Sequence, residues 1–286
     1  MASLKRVGVV GCGLMGSGIA QVSAQAGIET WVREVDQPTL DKGLGRIRKF
    51  LEDGIAKGKV SAEDRDRVLG NLHGTTKLEE LSKCELVVEA VVENIAAKRE
   101  VFSALDKLVA KDAVLASNTS SLSITEIAAF ATHPERVLGL HFFNPVPLMK
   151  LVEIIRALTT GEAAFERARG FVEQLGKTAV VAKDTPGFVV NRLLVPYLLD
   201  AVRLLESGIA SREDIDNGMK LGCGYPMGPL TLLDFVGLDT TYYIANIMFE
   251  EFRQPSFAPP PLLKRMVLAG YLGRKSGRGF YDYATK

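Results

Sequence analysis

Short apolar runs recur along the first two-thirds of the chain, at residues 7–10, 30–33, 86–92, 114–116, 137–140, 151–155 and 179–182. Several are continuous, the pattern of strands covered on both faces. Between them the sequence reads as helical, over 16–26, a long polar stretch at 39–71, then 95–110 and 162–175. Strand–helix–strand alternation predicts a mostly parallel, doubly wound α/β sheet.

The pattern changes at Thr185-Pro186-Gly187, beyond which no alternating strands follow. Residues 188–206 are apolar nearly all round, which predicts a helix buried at the centre of a domain. Gly208 offers a stop. Ser211, with Asp214 three residues on, makes a variant of the capping box. Helices are expected at 230–235, 240–252 and 262–269, with Pro259-Pro260-Pro261 separating the last two. The chain therefore divides into an α/β domain over 1–186 and an all-helical domain over 187–286.

Composition narrows the function. A chain of 286 residues with 47% hydrophobic content can bury its core without staples. Lys plus Arg number 35 against 34 Asp plus Glu, so no global charge points to nucleic acid or a membrane, and any anion site is local. Cys12, Cys84 and Cys223 form no metal-ligand pattern, and a sparse, odd count suits a reducing compartment. No stretch reaches the roughly 18 unbroken apolar residues of a membrane span. Lys5 and Arg6 lead at once into a strand, leaving no room for a signal peptide. A cytoplasmic protein with no metal, membrane or nucleic-acid partner is expected.

The first chemical motif is Gly11-Cys12-Gly13-Leu14-Met15-Gly16, a G-x-G-x-x-G that follows a strand and opens a helix. In that setting Gly11 permits the tight turn and Gly13 lets backbone approach a pyrophosphate. Gly16 lets helix and strand pack closely, and the helix N-terminus, with Leu14 and Met15 in its first turn, meets the anion. The second strand ends at Glu34, eighteen residues beyond Gly16. A carboxylate there accepts from the adenosine ribose and repels a 2′-phosphate, favouring NAD over NADP. Asp36 is an alternative for that role, Arg33 leaves room for NADP, and a solvated strand end is the bland reading of Glu34. The first domain thus reads as Rossmann-like.

Further motifs follow in order: Ser117-Asn118-Thr119-Ser120-Ser121-Leu122, His141-Phe142-Phe143-Asn144-Pro145, Leu151-Val152-Glu153-Ile154-Ile155 and Pro186-Gly187-Phe188-Val189-Val190-Asn191-Arg192. Pro226-Met227-Gly228-Pro229 and the tail from Gly273 to Tyr281 complete them. Together with the glycine-rich turn they closely resemble the short-chain L-3-hydroxyacyl-CoA dehydrogenase family, above all its bacterial 3-hydroxybutyryl-CoA dehydrogenases. The resemblance spans nearly the whole chain. It implies an NAD-dependent, reversible oxidation of an (S)-3-hydroxyacyl-CoA to the 3-ketoacyl-CoA.

Of the three histidines, His73 and His133 read as surface residues, whereas His141 ends an apolar strand, where α/β sheets place their ligands. A satisfied core histidine is the competing reading. Glu153 lies inside an otherwise apolar strand and needs a donor partner, which a return strand beside His141 would supply. The resemblance makes His141 the acid/base and Glu153 its partner, with Ser120 on the reacting oxygen and Asn191 on the substrate carbonyl, in an interdomain cleft. An N-cap role competes for Ser120, and a plain helix-start role for Asn191. The resemblance also carries over cofactor contacts at Glu93, Lys98, Asn118, Asn144 and Lys275, although Lys98 by itself reads as a solvated helix lysine. Coenzyme A would meet a basic arm of Lys42, Arg46, Arg48, Lys49, Lys57 and Lys59, with Lys57 at the family's lysine position and Asp53 where some members carry another lysine.

Two other functions fit the first domain. A Rossmann dehydrogenase of a free hydroxy acid commonly uses a lysine as acid/base, so the His141–Glu153 pair and the basic arm argue against it. A non-catalytic dinucleotide-binding protein would not need Ser120, His141, Glu153 and Asn191 together. A homodimer through the second domain is expected from the apolar stretches 188–206 and 240–252.

Overall fold

The apolar runs become strands, and the glycine-rich turn lies where the sheet changes direction. The computed structural model describes residues 3–284, and the chain divides into two units, Met1–Thr185 and Pro186–Lys286. The first unit holds strands β1 (Arg6–Val10), β2 (Glu29–Arg33), β3 (Leu72–Thr75), β4 (Leu86–Glu89), β5 (Val114–Ser117), β6 (Val137–Phe142), β7 (Leu151–Arg156) and β8 (Thr178–Lys183). They form one sheet in the order β3-β2-β1-β4-β5-β6-β7-β8. The first six are parallel, β7 runs antiparallel to β6, and β8 pairs parallel with β7. Its helices are α1 (Leu14–Gln25), α2 (Gln37–Ala56), α3 (Ala62–Gly70), α4 (Ile95–Leu108), α5 (Ile124–Ala128) and α6 (Glu162–Gln174).

Val7, Val9 and Val10 of β1 and Leu86, Val87 and Val88 of β4 are wholly buried. Each such side chain contributes about 1.5–3 kcal/mol of transfer free energy. After β1 the chain winds out to β2 and β3, then returns to the other side of β1 as β4. That reversal leaves a crevice beyond the ends of β1 and β4, where such sheets bind ligands.

Three elements depart from the sequence reading. The helix expected over 39–71 is two helices, because Gly58 takes φ +65° and Ser61 starts α3 by accepting from the Asp64 N–H. The segment Leu72–Thr75, with no apolar run, is an edge strand, and it places His73 against the Trp31 ring rather than in a connection. The strand expected to reach residue 92 stops at Glu89, and α4 begins at Ile95 capped by the Asn94 side chain, so Glu93 lies in the loop before the helix.

The second unit contains α7 (Val190–Glu206), α8 (Arg212–Asn217), α9 (Pro229–Val236), α10 (Leu238–Phe252) and α11 (Pro261–Leu268). Leu198, Leu199, Val202, Leu230, Leu233, Ile244 and Met248 form its core. Helix α7 is not buried all round: Val195, Leu198, Leu199 and Val202 make one inner stripe, while Leu193 is 72% exposed. Asp200 and Arg203 on the outer side pair with each other. Asp234 of α9 anchors the tail by accepting from the Phe280 and Tyr281 N–H groups. Among the described residues no helix is long and apolar enough to cross a membrane.

Candidate active site

The turn Gly11–Gly16 leaves β1 at the crevice. Gly11 takes φ +96°, and a Cβ there would lie 2.6 Å from the Ala90 carbonyl oxygen. A Cβ on Gly16 would lie 1.8 Å from the Gly11 carbonyl oxygen, so helix and turn are in backbone contact. A Cβ on Gly13 would meet nothing within 4 Å. Gly13 also caps α1 without any side-chain hydrogen bond, which leaves the first N–H groups of the helix, those of Leu14 and Met15 included, for an outside acceptor.

Glu34 is 9% exposed and therefore not a solvated strand end. Its Oε2 accepts from the Cys12 N–H at 2.7 Å and its Oε1 from the Val35 N–H at 2.8 Å, clamping the turn to β2. Beside it is a cleft of about 590 Å³ lined by Gly11, Gly13, Arg33, Glu34, Thr39 and Ala97, among others. Asp36 has a different task, capping α2 by accepting from the Thr39 N–H at 2.8 Å. The Cys12 thiol, buried and next to Glu34, is pushed up to about 11 and stays protonated at neutral pH. This turn, uncapped helix and carboxylate-edged cleft fit a dinucleotide.

On the other side of the sheet, β6 and β7 pair so that His141 stands directly opposite Glu153. His141 Nδ1 lies 2.6 Å from Glu153 Oε2, and Nε2 lies 3.0 Å from Ser120 Oγ. His141 is 4% exposed and Glu153 is fully buried. The carboxylate fixes the tautomer: Nδ1 carries hydrogen and donates, leaving Nε2 to accept from the Ser120 hydroxyl. The helix after Ser120 is α5, and its N-cap is Ser123, which accepts from the Glu126 N–H. Ser120 is therefore free of capping and its hydroxyl faces the imidazole.

Between these two centres lies a buried ionic cluster. Lys98 is 1% exposed, not a solvated helix lysine, and its ammonium lies 2.7 and 3.0 Å from the Glu89 oxygens and 3.3 Å from Glu93 Oε2. Glu93 Oε1 accepts from the Thr119 hydroxyl, from the Ser120 N–H at 3.2 Å and from the Ser121 hydroxyl at 3.2 Å. Asn118, just past β5, accepts from the Phe142 N–H at 2.9 Å and so ties the Ser120 segment to the strand of His141. Glu89 and Ser117 were not singled out from the sequence. The signal for Glu89 is the one that marks Glu153, a carboxylate inside an apolar run.

Asn144 is exposed on the loop after β6. Lys57 is exposed at the C-terminus of α2, with Lys42 and Lys49 exposed on the same helix. The basic arm is smaller than expected, because Arg46 turns inward to donate to the Cys12 carbonyl at 3.1 Å and Lys49 lies 3.7 Å from Asp53. In the second unit, Asn191 is the second residue of α7 and half-buried. Lys275 is paired there with Asp239 at 2.6 Å.

Comparison with known proteins adds an independent observation. The family profile for the NAD binding domain of 3-hydroxyacyl-CoA dehydrogenase matches residues 6–185, and that for its C-terminal domain matches residues 187–283. A 3-hydroxybutyryl-CoA dehydrogenase of Mycobacterium tuberculosis is 56% identical over 283 residues, covering 98% of this chain and 99% of that protein. The mitochondrial hydroxyacyl-coenzyme A dehydrogenase of Rattus norvegicus is 47% identical over 98% of this chain and 91% of its own length. The crystal structure of an (S)-3-hydroxybutyryl-CoA dehydrogenase from Ralstonia eutropha superposes with a TM-score of 0.95 at 42% identity, covering 98% of this chain and 99% of that one.

Proposed function

The chain belongs to the 3-hydroxyacyl-CoA dehydrogenase family, and from that premise we propose that it interconverts (S)-3-hydroxybutyryl-CoA and acetoacetyl-CoA with NAD, using His141 as acid/base. The observation that carries the site reading is the line Ser120–His141–Glu153, with contacts of 3.0 and 2.6 Å.

Oxidising a secondary alcohol requires a proton to leave oxygen as hydride leaves carbon. Bound NAD supplies the hydride acceptor. His141 Nε2 takes the alcohol proton, and in the reverse direction returns it. Glu153 holds the ring in place and balances the positive charge that the ring acquires. The Ser120 hydroxyl holds the reacting oxygen, and Asn191 donates to the substrate carbonyl to align it. When NAD is bound, Gly11, Gly13, Gly16 and the first turn of α1 would hold its pyrophosphate. With NAD bound, Glu34 would meet the adenosine ribose, Glu93, Asn118 and Asn144 would face the nicotinamide side, and Lys98, its ammonium held by Glu89 and Glu93, would serve that side by fixing Glu93. Lys57 meets a coenzyme A phosphate.

The test is NADH consumption with acetoacetyl-CoA, with longer 3-ketoacyl-CoAs and with free acetoacetate. Acetoacetyl-CoA is expected to react fastest and free acetoacetate at least about a hundredfold more slowly, because binding energy from the coenzyme A moiety is lost. Equal rates with free acetoacetate would favour the free hydroxy-acid dehydrogenase.

We also propose a cytoplasmic homodimer. Leu193, Ile209, Leu221 and Leu268 of the second unit are 72%, 71%, 83% and 76% exposed, apolar side chains that a second copy would cover. Light scattering at micromolar concentration should give twice the chain mass; a monomer would reject the dimer. Free cysteines, two of them buried, suit a reducing cytoplasm.

A further inference from the structure

Glu89 is a buried carboxylate whose hydrogen bonds go to Val91, Lys98 and Ser117, not to the glycine-rich turn or the imidazole. It closes β4 and is fully buried. Its Oε1 accepts from the Val91 N–H at 2.8 Å and from the Lys98 ammonium at 2.7 Å. Its Oε2 accepts from Lys98 at 3.0 Å and from the Ser117 hydroxyl at 2.7 Å. Its own carbonyl accepts from the Asn118 N–H at 2.8 Å.

Two routes lead from this carboxylate to Ser120. Along one, Lys98 bridges Glu89 to Glu93, which accepts from the Ser120 N–H. Along the other, Ser117 Oγ donates to Glu89 and accepts from the Thr119 N–H at 3.3 Å. The ammonium has three protons and three carboxylate oxygens within 3.3 Å, so its donors are committed to the cluster. Burying an ion pair is a poor way to gain stability, since desolvation offsets most of the attraction and an apolar pair would serve a strand–helix junction as well. What the charges do provide is a fixed geometry for the polar segment that follows β5.

We propose that Glu89 is a positioning residue: through Lys98–Glu93 and through Ser117 it sets the 117–121 segment so that the Ser120 hydroxyl meets His141. This rests on the reading of Ser120 and His141 as the reacting site. Glu89→Gln keeps the shape but loses the charge, and its amide nitrogen cannot accept. The ammonium then draws Glu93 away from the Ser120 N–H.

The experiment is a double-mutant cycle on turnover at saturating NADH and acetoacetyl-CoA. Glu89→Gln should lower kcat about tenfold or more, as loss of a charged hydrogen bond does, with KM for acetoacetyl-CoA changing less than about threefold. In a Ser120→Ala background the same substitution should lower kcat no further, because its route to the chemistry has been cut. A merely structural role would multiply the two losses, and that result overturns the proposal. Normal turnover in Ser120→Ala by itself is a separate failure, of the site reading. Should Glu89→Gln not fold, Ser117→Ala removes one hydroxyl only. It should lower kcat roughly threefold in the wild-type background and not at all in Ser120→Ala. A multiplicative loss, or none in either background, overturns the proposal.

Discussion

Replacing His141 by alanine lowers turnover by about 10²–10⁴-fold while NADH still binds, the range that a positioned acid/base accounts for. The imidazole is held at both nitrogens, by Glu153 at 2.6 Å and by Ser120 at 3.0 Å. Removing it leaves the serine hydroxyl without the base it faces, and no other histidine can substitute. His73 stacks on Trp31 at the edge of the sheet, and His133 lies beside Glu135 before a short helical turn. The glycine-rich turn and Glu34 are untouched by the substitution, so an NADH titration by protein fluorescence should be unchanged within about threefold. Acetoacetyl-CoA-dependent loss of NADH absorbance is the activity readout. Near-normal turnover would eliminate His141 as the base. Loss of NADH binding together with turnover would mean that the substitution had disturbed the fold instead.

The legible parts of this molecule were those where burial writes a pattern. Strands β1, β4, β5 and β6 are covered on both faces, and their unbroken apolar runs show it. Strand β3 is an edge strand with no residue fully covered, so Leu72-His73-Gly74-Thr75 carries no such mark. The α2–α3 break was written in Gly58 and in Ser61 with Asp64, but the polar character of the whole stretch hid it. His141 and Glu153 could be paired in advance because a carboxylate inside an apolar strand demands a donor, and a return strand has few ways to provide one. Glu89 meets the same condition, but the sequence does not show its partner. Its partner Lys98 lies on a helix nine residues later, where a lysine ordinarily points to water. Arg46 was hidden likewise: a basic helix face does not reveal which member turns inward to a carbonyl. Asn191 and Lys275 lie in the second unit, where their roles came only through the resemblance.

The two glycines at either end of the helix start should fail in opposite ways. Gly16→Ala puts a methyl 1.8 Å from the Gly11 carbonyl oxygen, a backbone atom that cannot swing aside. Helix α1 must shift off the turn, and overpacking of that kind costs about 1–3 kcal/mol, or roughly 3–10 °C in Tm for a unit of this size. The turn that meets the pyrophosphate moves with it, and an error of about 1 Å in such a site can cost on the order of a hundredfold in turnover. Gly13→Ala adds a methyl that touches nothing within 4 Å, at a residue with φ −66°, so the protein itself has no reason to lose stability. The methyl instead projects where cofactor and backbone must approach, and the Kd for NADH should rise about tenfold or more with Tm unchanged. Calorimetry and NADH titration on both variants separate the cases. A Gly13→Ala protein that binds NADH normally would place the pyrophosphate elsewhere. A Gly16→Ala protein with wild-type Tm and turnover would mean that the turn has slack which the contact between α1 and Gly11 does not suggest.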